Sequence, residues 1–383
     1  MKFSRSFFVL AHLILVLSGC SFFGDKEEIK PAKLEKFDQR VSLNLAWKAK
    51  PVSGNKNYWQ KLQMAVSKDL LFTADHNGSV VALDIQTGQQ QWAVDLELPI
   101  SGGVGYGAEK VVLGTIEGQI YALNAKDGTV LWSSTASSEV LASPSANKEM
   151  VVAQSIDNRI YAFDAETGQE LWQHDSGAPI LSVRGNSSSI IIQNMVIAAF
   201  DNGKLIAFNG QNGSVVWETR LALPKGRTEL ERMIDVDGEP ILVGDIVYSV
   251  SYQGRLGALT RGTGRNLWFQ DSSSHFSPAY SDGKLFVTEA KNDAVRAFKA
   301  GNGQQIWQNS QLEYRELTGP ISFGDSIAVA DADGYLHLLD TETGVFMGRT
   351  KVDGSGVSAP LLVNAETLLV QANNGSISAY KIQ

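Results

Sequence analysis

The chain has 383 residues, of which 43% are hydrophobic and 19% charged, with a formal net charge of −8. This acidic balance argues against a nucleic-acid-binding protein, because phosphate contacts need a basic surface. The single cysteine, Cys20, excludes an intrachain disulfide, a zinc cluster and a Cys-x-x-Cys redox site. After the N-terminus, no apolar stretch approaches the roughly 18 residues of a membrane span.

The N-terminus has the form of a signal peptide. Lys2 and Arg5 precede an apolar run over residues 7–17, which ends in Leu-Ser-Gly-Cys. This ending resembles the lipobox of bacterial lipoproteins, in which the signal peptide is removed and the cysteine carries the acyl chains, palmitate among them. The resemblance implies cleavage after residue 19 and an anchor at Cys20 strong enough to hold the protein on a membrane. The alternative is an ordinary secretory signal with a chance cysteine.

The residue after the cysteine indicates the destination. Lipoproteins kept in the inner membrane typically have aspartate there, whereas this chain has Ser21. The resemblance therefore implies an outer-membrane lipoprotein that faces the periplasm. Residues 20–40 are polar and mixed in charge, which predicts a flexible tether between the lipid and the folded domain.

From residue 41 to 383 the chain repeats one frame. The frame is clearest at 158–172, a turn, a strand, a second turn and a strand that ends on tryptophan, and it recurs at 78–92 and 118–132. Self-similarity near forty residues, built from short strands, indicates a repeat architecture. The turn glycine of each copy lies four residues before the tryptophan position: Gly88, Gly128, Gly168, Gly213, Gly264, Gly303 and Gly344.

Two columns of the repeat predict how its sheets pack. A small residue recurs in the strand between the turns, at Ala82, Ala122, Ala162, Ala207, Ala258 and Ala297. A small residue at a constant register implies that something large lies against it. The candidates are the tryptophans that end the copies: Trp92, Trp132, Trp172, Trp217, Trp268 and Trp307.

The ends of the chain give the number of copies. An eighth copy begins at Asn374-Gly375, but its final strand would run past Gln383. That strand is present at the other end, as residues 41–47, with Trp47 last. We therefore predict an all-β, eight-bladed β-propeller of four-stranded antiparallel blades, closed by the N-terminal strand pairing into the C-terminal blade.

The sequence contains no recognisable catalytic or metal-binding constellation. Asp331, Asp333 and Glu342 have the spacing of a calcium loop, but Leu336 stands where that loop needs glycine. The glycine-rich segment 102–107 precedes a strand rather than a phosphate-binding helix, so we interpret it as a turn inside a blade. We predict no catalytic residue, no metal and no cofactor, and hence a protein that is not an enzyme.

The frame Ala-x-Asp-x-x-Thr-Gly-x-x-x-Trp at 162–172 resembles the blades of quinoprotein alcohol and glucose dehydrogenases. That resemblance implies the same eight-bladed fold and, as an alternative function, oxidation with pyrroloquinoline quinone and calcium. The adjacent cysteine pair of many members is absent here. A third reading is a ligand- or cell-wall-binding propeller that uses loop aromatics such as Tyr58 and Trp59, although packing in the first blade also explains that pair.

The repeat spacings lengthen at two places, where loops interrupt the scaffold and function is expected to concentrate. The insertions lie at 178–189 and 224–240, and the second mixes Arg and Asp with Leu and Met, as partner interfaces do. The alternative is a solvated loop with local salt bridges.

The lipobox, the eight copies and the segments Leu-Ser-Val-Arg-Gly at 181–185 and Glu-Leu-Glu-Arg-Met-Ile-Asp-Val-Asp at 229–237 together resemble the propeller lipoproteins of the bacterial outer-membrane β-barrel assembly machinery. The resemblance implies a scaffold that docks on the polypeptide-transport-associated (POTRA) domains of the barrel subunit, BamA, with nascent outer-membrane proteins as further contacts. The matching partner-binding residues are Leu181, Val183, Arg184, Asp235 and Asp237.

Overall fold

The computed structural model contains eight four-stranded antiparallel sheets arranged as an eight-bladed β-propeller, which confirms the predicted fold class. The structure describes residues 30–54, 62–178, 187–222, 227–228 and 234–383. Over these residues every regular element is a strand, and none is a helix that could cross a membrane.

The first four blades each take four consecutive strands. They are β2 (Ala65–Val66), β3 (Leu70–Ala74), β4 (Ser79–Asp84) and β5 (Gln90–Asp95); β6 (Ile100–Gly107), β7 (Lys110–Thr115), β8 (Gln119–Asn124) and β9 (Val130–Thr135); β10 (Ser145–Ala146), β11 (Met150–Ser155), β12 (Arg159–Asp164) and β13 (Glu170–Asp175); and β14 (Ile190–Ile192), β15 (Met195–Ala199), β16 (Lys204–Asn209) and β17 (Val215–Arg220).

The last four blades follow the same plan, except that blade eight borrows β1 (Leu43–Ala49) as its fourth strand. They are β18 (Ile241–Val243), β19 (Ile246–Val250), β20 (Arg255–Thr260) and β21 (Asn266–Asp271); β22 (Ala279–Ser281), β23 (Lys284–Thr288), β24 (Val295–Lys299) and β25 (Gln305–Asn309); β26 (Ile321–Phe323), β27 (Ser326–Ala330), β28 (Tyr335–Asp340) and β29 (Phe346–Lys351); and β30 (Leu362–Asn364), β31 (Thr367–Gln371), β32 (Ile377–Ile382) and β1.

The ring closes as the sequence predicts. β1 pairs antiparallel with β32, from Leu43 opposite Ile382 to Ala49 opposite Ile377. The closing strand begins and ends two residues later than the predicted 41–47.

The hairpin before each fourth strand is built by local hydrogen bonds. In blade three, Asp164 Oδ1 accepts from the backbone N–H and the hydroxyl of Thr167, at 2.8 Å each. These bonds lower the pKa of Asp164 and hold the turn that Gly168 completes with φ +72°. The same Asp-x-x-Thr-Gly geometry occurs at Asp84 and Asp340.

Tryptophans join neighbouring blades. Within a blade, Trp132 lies directly opposite Ala122, so the small residue leaves room for the indole. The ring then reaches the next blade, where its Nε1–H donates to the Ala165 carbonyl oxygen at 2.9 Å and its face covers Gly168. The described part of the chain has seven such docks, with N···O distances of 2.6–3.0 Å, at Trp47, Trp92, Trp132, Trp172, Trp217, Trp268 and Trp307.

The junction of blades seven and eight has no tryptophan, since Gly348 occupies that register opposite Leu338. Residues 32–40, the end of the predicted tether, and Val41 contact the propeller here instead. The N–H groups of Arg40 and Val41 both donate to the Met347 carbonyl oxygen, and Phe37 stacks on Phe346 with ring centroids 5.2 Å apart.

The connections between strands divide between the two propeller faces. The links from a fourth strand to the next blade's first strand lie on the same face as the turns between second and third strands, because the strands alternate in direction. We call this the link face. The turns between third and fourth strands lie on the opposite face, the turn face.

Candidate docking surface

The predicted partner-binding residues belong to two links on the link face. Leu181, Val183 and Arg184 lie outside the described residues, as does the predicted lipidation site Cys20. Asp235 and Asp237 lie in the link between β17 and β18, within the described segment 234–240.

The structure brings the two insertions together. Ser187, at the end of the first insertion, donates its hydroxyl to the Gly238 carbonyl oxygen of the second, at 3.1 Å and in a buried position. Gly238 itself lies against the following link, since a Cβ there would be 2.5 Å from the Phe276 carbonyl carbon. The described ends of the insertions after blades three and four therefore meet each other and the link after blade five.

Asp235 is not on that surface. Its side chain has no exposed area, and its neighbours Ile234 and Val236 are also buried. Its backbone carbonyl accepts from the Tyr252 N–H at 2.7 Å, which ties the link to the blade-five turn between β19 and β20. The Asp235 carboxylate is therefore buried in this conformation, and its predicted partner-binding role stays a prediction.

Asp237 is also largely enclosed, with 12% of its side chain exposed. Its Oδ2 lies 3.0 Å from His275 Nδ1, while the buried Oδ1 has no hydrogen-bond partner among the described residues. Burial raises the pKa of Asp237, and the His275 hydrogen bond opposes that rise.

Two residues of this surface were missed by sequence reasoning. His275 stacks on Tyr252 with ring centroids 4.2 Å apart and planes 21° apart. Tyr252 lies in a turn of blade five and His275 in the link after that blade, and neither belongs to a motif, so only their positions on the link face could have suggested them. Together with Asp235 and Asp237 they connect the link before blade five, the turn within it and the link after it.

Behind this surface lies an axial cavity of about 650 Å³, lined by residues of all eight blades. It is lined mainly by apolar side chains and backbone, and Glu239 and Asp237 are its carboxylates. Burial raises the pKa of Glu239 to about 7. No group of three or more His, Cys, Asp or Glu residues is placed to hold a metal within the described part of the chain.

The calcium-like segment contains an ion-pair cluster instead. Arg315 Nη2 contacts Asp331 Oδ2 at 2.8 Å and Asp333 Oδ2 at 2.7 Å. His337 Nε2 lies 3.0 Å from the same Asp331 oxygen. The Arg315 guanidinium therefore contacts two carboxylates of the segment that has calcium-loop spacing.

The glycine-rich segment 102–107 was interpreted as a turn, and that interpretation is wrong. It forms most of β6, a strand with two irregularities of register. A Cβ on Gly105 would fall inside contact distance of the Pro144 carbonyl oxygen, so the glycines allow the neighbouring blade to approach closely.

Comparisons with known proteins give the family. A family model described as "Outer membrane protein assembly factor BamB" matches residues 76–309 and 291–383. The proteins of that name from Pseudomonas aeruginosa and Escherichia coli are 46% and 33% identical, over 98% and 95% of this chain and the same shares of their own. The crystal structure of BamB from Moraxella catarrhalis superimposes with a TM-score of 0.81 at 27% identity, covering 89% of this chain and all of that one.

The chain belongs to the BamB family of outer membrane protein assembly factors. Membership confirms the predicted function class, a scaffold subunit of outer-membrane protein assembly rather than an enzyme, and the predicted association with the outer membrane. The PQQ-like repeat is likewise confirmed.

The likeness to quinoprotein dehydrogenases is one of fold. A quinohemoprotein alcohol dehydrogenase from Comamonas testosteroni superimposes with a TM-score of 0.69 at 14% identity, over 88% of this chain. A sequence identity of 14% does not indicate a shared function. Tyr58 and Trp59, the aromatic pair of the alternative ligand- or cell-wall-binding hypothesis, lie outside the described residues.

Proposed function

We propose that this member of the BamB family docks on the POTRA domains of the barrel subunit, BamA, through the link-face surface formed by residues 178–189 and 227–240. The observation that carries the proposal is the Ser187–Gly238 hydrogen bond, which joins the two interruptions of an otherwise regular repeat into one surface. A regular scaffold with one irregular, continuous patch is the arrangement expected of a docking subunit.

Leu181 and Val183 supply the apolar centre of the proposed interface, and Arg184 supplies its charge. The predicted pattern fits the usual anatomy of interfaces, in which an apolar or aromatic centre is surrounded by polar groups. Asp235 and Asp237 act from beneath, since both carboxylates are turned into the protein.

Site-specific photo-crosslinking in intact envelopes tests the surface. A crosslinker at exposed Thr228, on the link face before blade five, should capture BamA. The matched control is exposed Asn212, on the turn face just before blade four's last strand, and it should capture none. Equal capture from both positions, or capture from Asn212 alone, would contradict the proposed surface.

We also propose that Cys20 carries the lipid anchor and that the propeller faces the periplasm. The support is the lipobox-like Leu-Ser-Gly-Cys sequence and the family's association with the outer membrane. Radiolabelled palmitate should enter the wild-type protein and not the Cys20→Ser variant, which should move to the soluble fraction. Label retained by Cys20→Ser would overturn the anchor.

A further inference from the structure

The first inference concerns how the docking link keeps its shape, and it rests on the proposed docking function. Segment 234–240 makes three contacts with blades five and six: the Tyr252 N–H to Asp235 oxygen bond, the His275 to Asp237 bond, and the close approach of Gly238 to Phe276. The first two contacts are connected by the stacking of His275 on Tyr252. We refer to Asp235, Asp237, Tyr252 and His275 as the link clamp.

We propose that His275 is a positioning residue for docking: by holding Asp237 and stacking on Tyr252, it keeps segment 234–240 in the conformation that the partner recognises. The aspartates of the link clamp then act within the chain rather than as charges that pair with the partner. A buried carboxylate that loses its hydrogen-bond donor is costly, so the segment would rearrange without His275.

A small displacement of the link clamp would also displace the contact between the two insertions. Gly238 follows Asp237 directly and accepts the hydrogen bond from Ser187 of the other insertion. A displaced Asp237 therefore moves the residue that joins the two insertions. About a third of the His275 side chain is exposed, and both His275 and Asp237 line the axial cavity, so the clamp lies where the link face meets that cavity.

Four variants test the positioning role, with affinity for purified POTRA domains as the readout. His275→Ala should weaken binding roughly tenfold to a hundredfold, because it removes a hydrogen bond to a buried charged group. His275→Asn, which keeps a donor near the Nδ1 position, should recover most of the affinity. Asp237→Asn, which keeps an acceptor for His275, should bind within about threefold of wild type, whereas Asp237→Ala should not.

His174→Ala is the matched control, since His174 lies on the outer strand of blade three, away from the link clamp. Hydrogen exchange of the amides in 234–240 should rise in His275→Ala and stay at the wild-type level in the control. Wild-type affinity in His275→Ala would overturn the positioning role, and equal losses in Asp237→Asn and Asp237→Ala would show that the charge itself meets the partner. Failure of the wild-type protein to bind would instead contradict the proposed docking.

A second, independent inference comes from the junction that lacks a tryptophan. Residues 32–41 lie along blades six and seven, and we call them the strap. At its start, the Ala32 N–H donates to the Glu313 carbonyl oxygen at 2.9 Å, and the Ala32 oxygen accepts from Arg315 Nη1 at 2.9 Å. At its end, a Cβ on Gly348 would be 2.6 Å from the Val41 carbonyl oxygen, so the glycine that replaces tryptophan makes room for the strap.

Arg349 holds the middle of the strap. Its Nη1 donates to the Glu35 carbonyl oxygen at 2.9 Å, and its guanidinium lies 4.9 Å from the ring centroids of both Phe37 and Phe346. Its Nε donates to His337 Nδ1 at 3.0 Å, which connects it to the buried Asp331 and Arg315. The strap is thus joined to a buried polar network of blade seven rather than to loose surface groups.

We infer that the strap replaces the eighth tryptophan dock and also sets where the N-terminal chain leaves the propeller. Because Glu313 lies in a link between blades, the chain leaves from the link face, the same face as segment 234–240. The link that contains Glu313 and the link that contains segment 234–240 lie two blades apart in a ring of eight. Nine residues lie between Cys20 and Lys30, so the two are at most about 35 Å apart and a lipid anchor would hold the link face near the bilayer.

Tryptic cleavage of the full-length protein at Lys33, Lys36 and Arg40 tests the strap without depending on the anchor. Phe37→Ala should speed cleavage about tenfold, because the strap would open more often. Gln39→Ala, a change at an exposed neighbour, should leave the rate unchanged. Arg349→Lys provides a second variant that keeps the charge and loses the fork of donors, and it should also speed cleavage. Wild-type rates in both Phe37→Ala and Arg349→Lys would overturn the strap.

Discussion

The blade junctions and the link before blade five are held by different kinds of contact. At a docked junction such as that of blades two and three, one indole, one glycine and one carbonyl suffice, and the same set recurs seven times. At the link, segment 234–240 is held through contacts of its own Asp235 and Asp237 with Tyr252 and His275, and this set of residues occurs once. The repeated contacts therefore stabilise the ring, whereas the unrepeated contacts shape a surface that a partner can recognise.

The largest effect should come from opening the ring. Deleting residues 43–49 removes β1 and with it the tryptophan dock between blades eight and one. We expect a loss of more than about 5 kcal/mol in the free energy of unfolding, measured by urea denaturation. Deleting residues 21–29 removes none of the contacts described above and serves as the control, and equal stability of the two deletions would disprove closure by β1.

A single junction should be next in size. Trp132→Ala removes a buried indole and the hydrogen bond to Ala165, so the free energy of unfolding should fall by about 3–5 kcal/mol. Its neighbour Leu131 is exposed, and Leu131→Ala should change stability by less than about 0.5 kcal/mol. A loss below about 1 kcal/mol for Trp132→Ala would mean that the docks do not carry the ring.

The glycine under the indole should matter almost as much. Gly168 has φ +72°, and an added Cβ would lie 2.6 Å from Trp132 Cε3, so Gly168→Ala should cost about 2–4 kcal/mol. Gly262, in the turn of blade five, has no atom within 4 Å of an added Cβ. Gly262→Ala should therefore leave the urea midpoint unchanged, and similar losses for the two variants would contradict the dock geometry.

The smallest predicted effect depends on pH and belongs to the axial cavity. The Glu239 carboxyl has a pKa of about 7 in the folded chain against 4.5 when unperturbed, because it is buried. The unfolded state therefore gives up its proton first, and stability falls as pH rises from about 4.5 to 7. Glu239→Gln should be more stable than wild type by about 1–3 kcal/mol at pH 8 and equal to it at pH 4. A gain that does not depend on pH would rule out the buried charge as its cause.

The sequence predicts the scaffold well because the scaffold is local. The turn glycines, the alanine column and the tryptophans each recur at a fixed spacing, and the closing strand follows from counting the copies. For the docking region, the sequence predicts only that the repeat is interrupted there. The contacts that give the region its shape, such as Ser187 to Gly238 and His275 to Tyr252, join residues 23–51 positions apart and belong to no repeat.

The same reason explains the two main differences between expectation and structure. Asp235 and Asp237 have the composition of an exposed interface, but a sequence does not show whether a carboxylate in a loop faces solvent or protein. Residues 30–41 have the polar, charged composition of a tether, yet Phe37 and the backbone of Val41 find partners on blade seven. Composition describes the average environment of a segment, and a few well-placed contacts can override it.

Two glycines that are both closely surrounded, one in each region, test the division between scaffold and docking surface most directly. Affinity for the POTRA domains of BamA should fall at least about tenfold in Gly238→Ala, whose Cβ would press on Phe276 and displace the link. Gly168→Ala, in a turn-face hairpin, should bind like wild type wherever it is folded. If Gly168→Ala lost affinity and Gly238→Ala kept it, the division between scaffold and docking surface would be wrong.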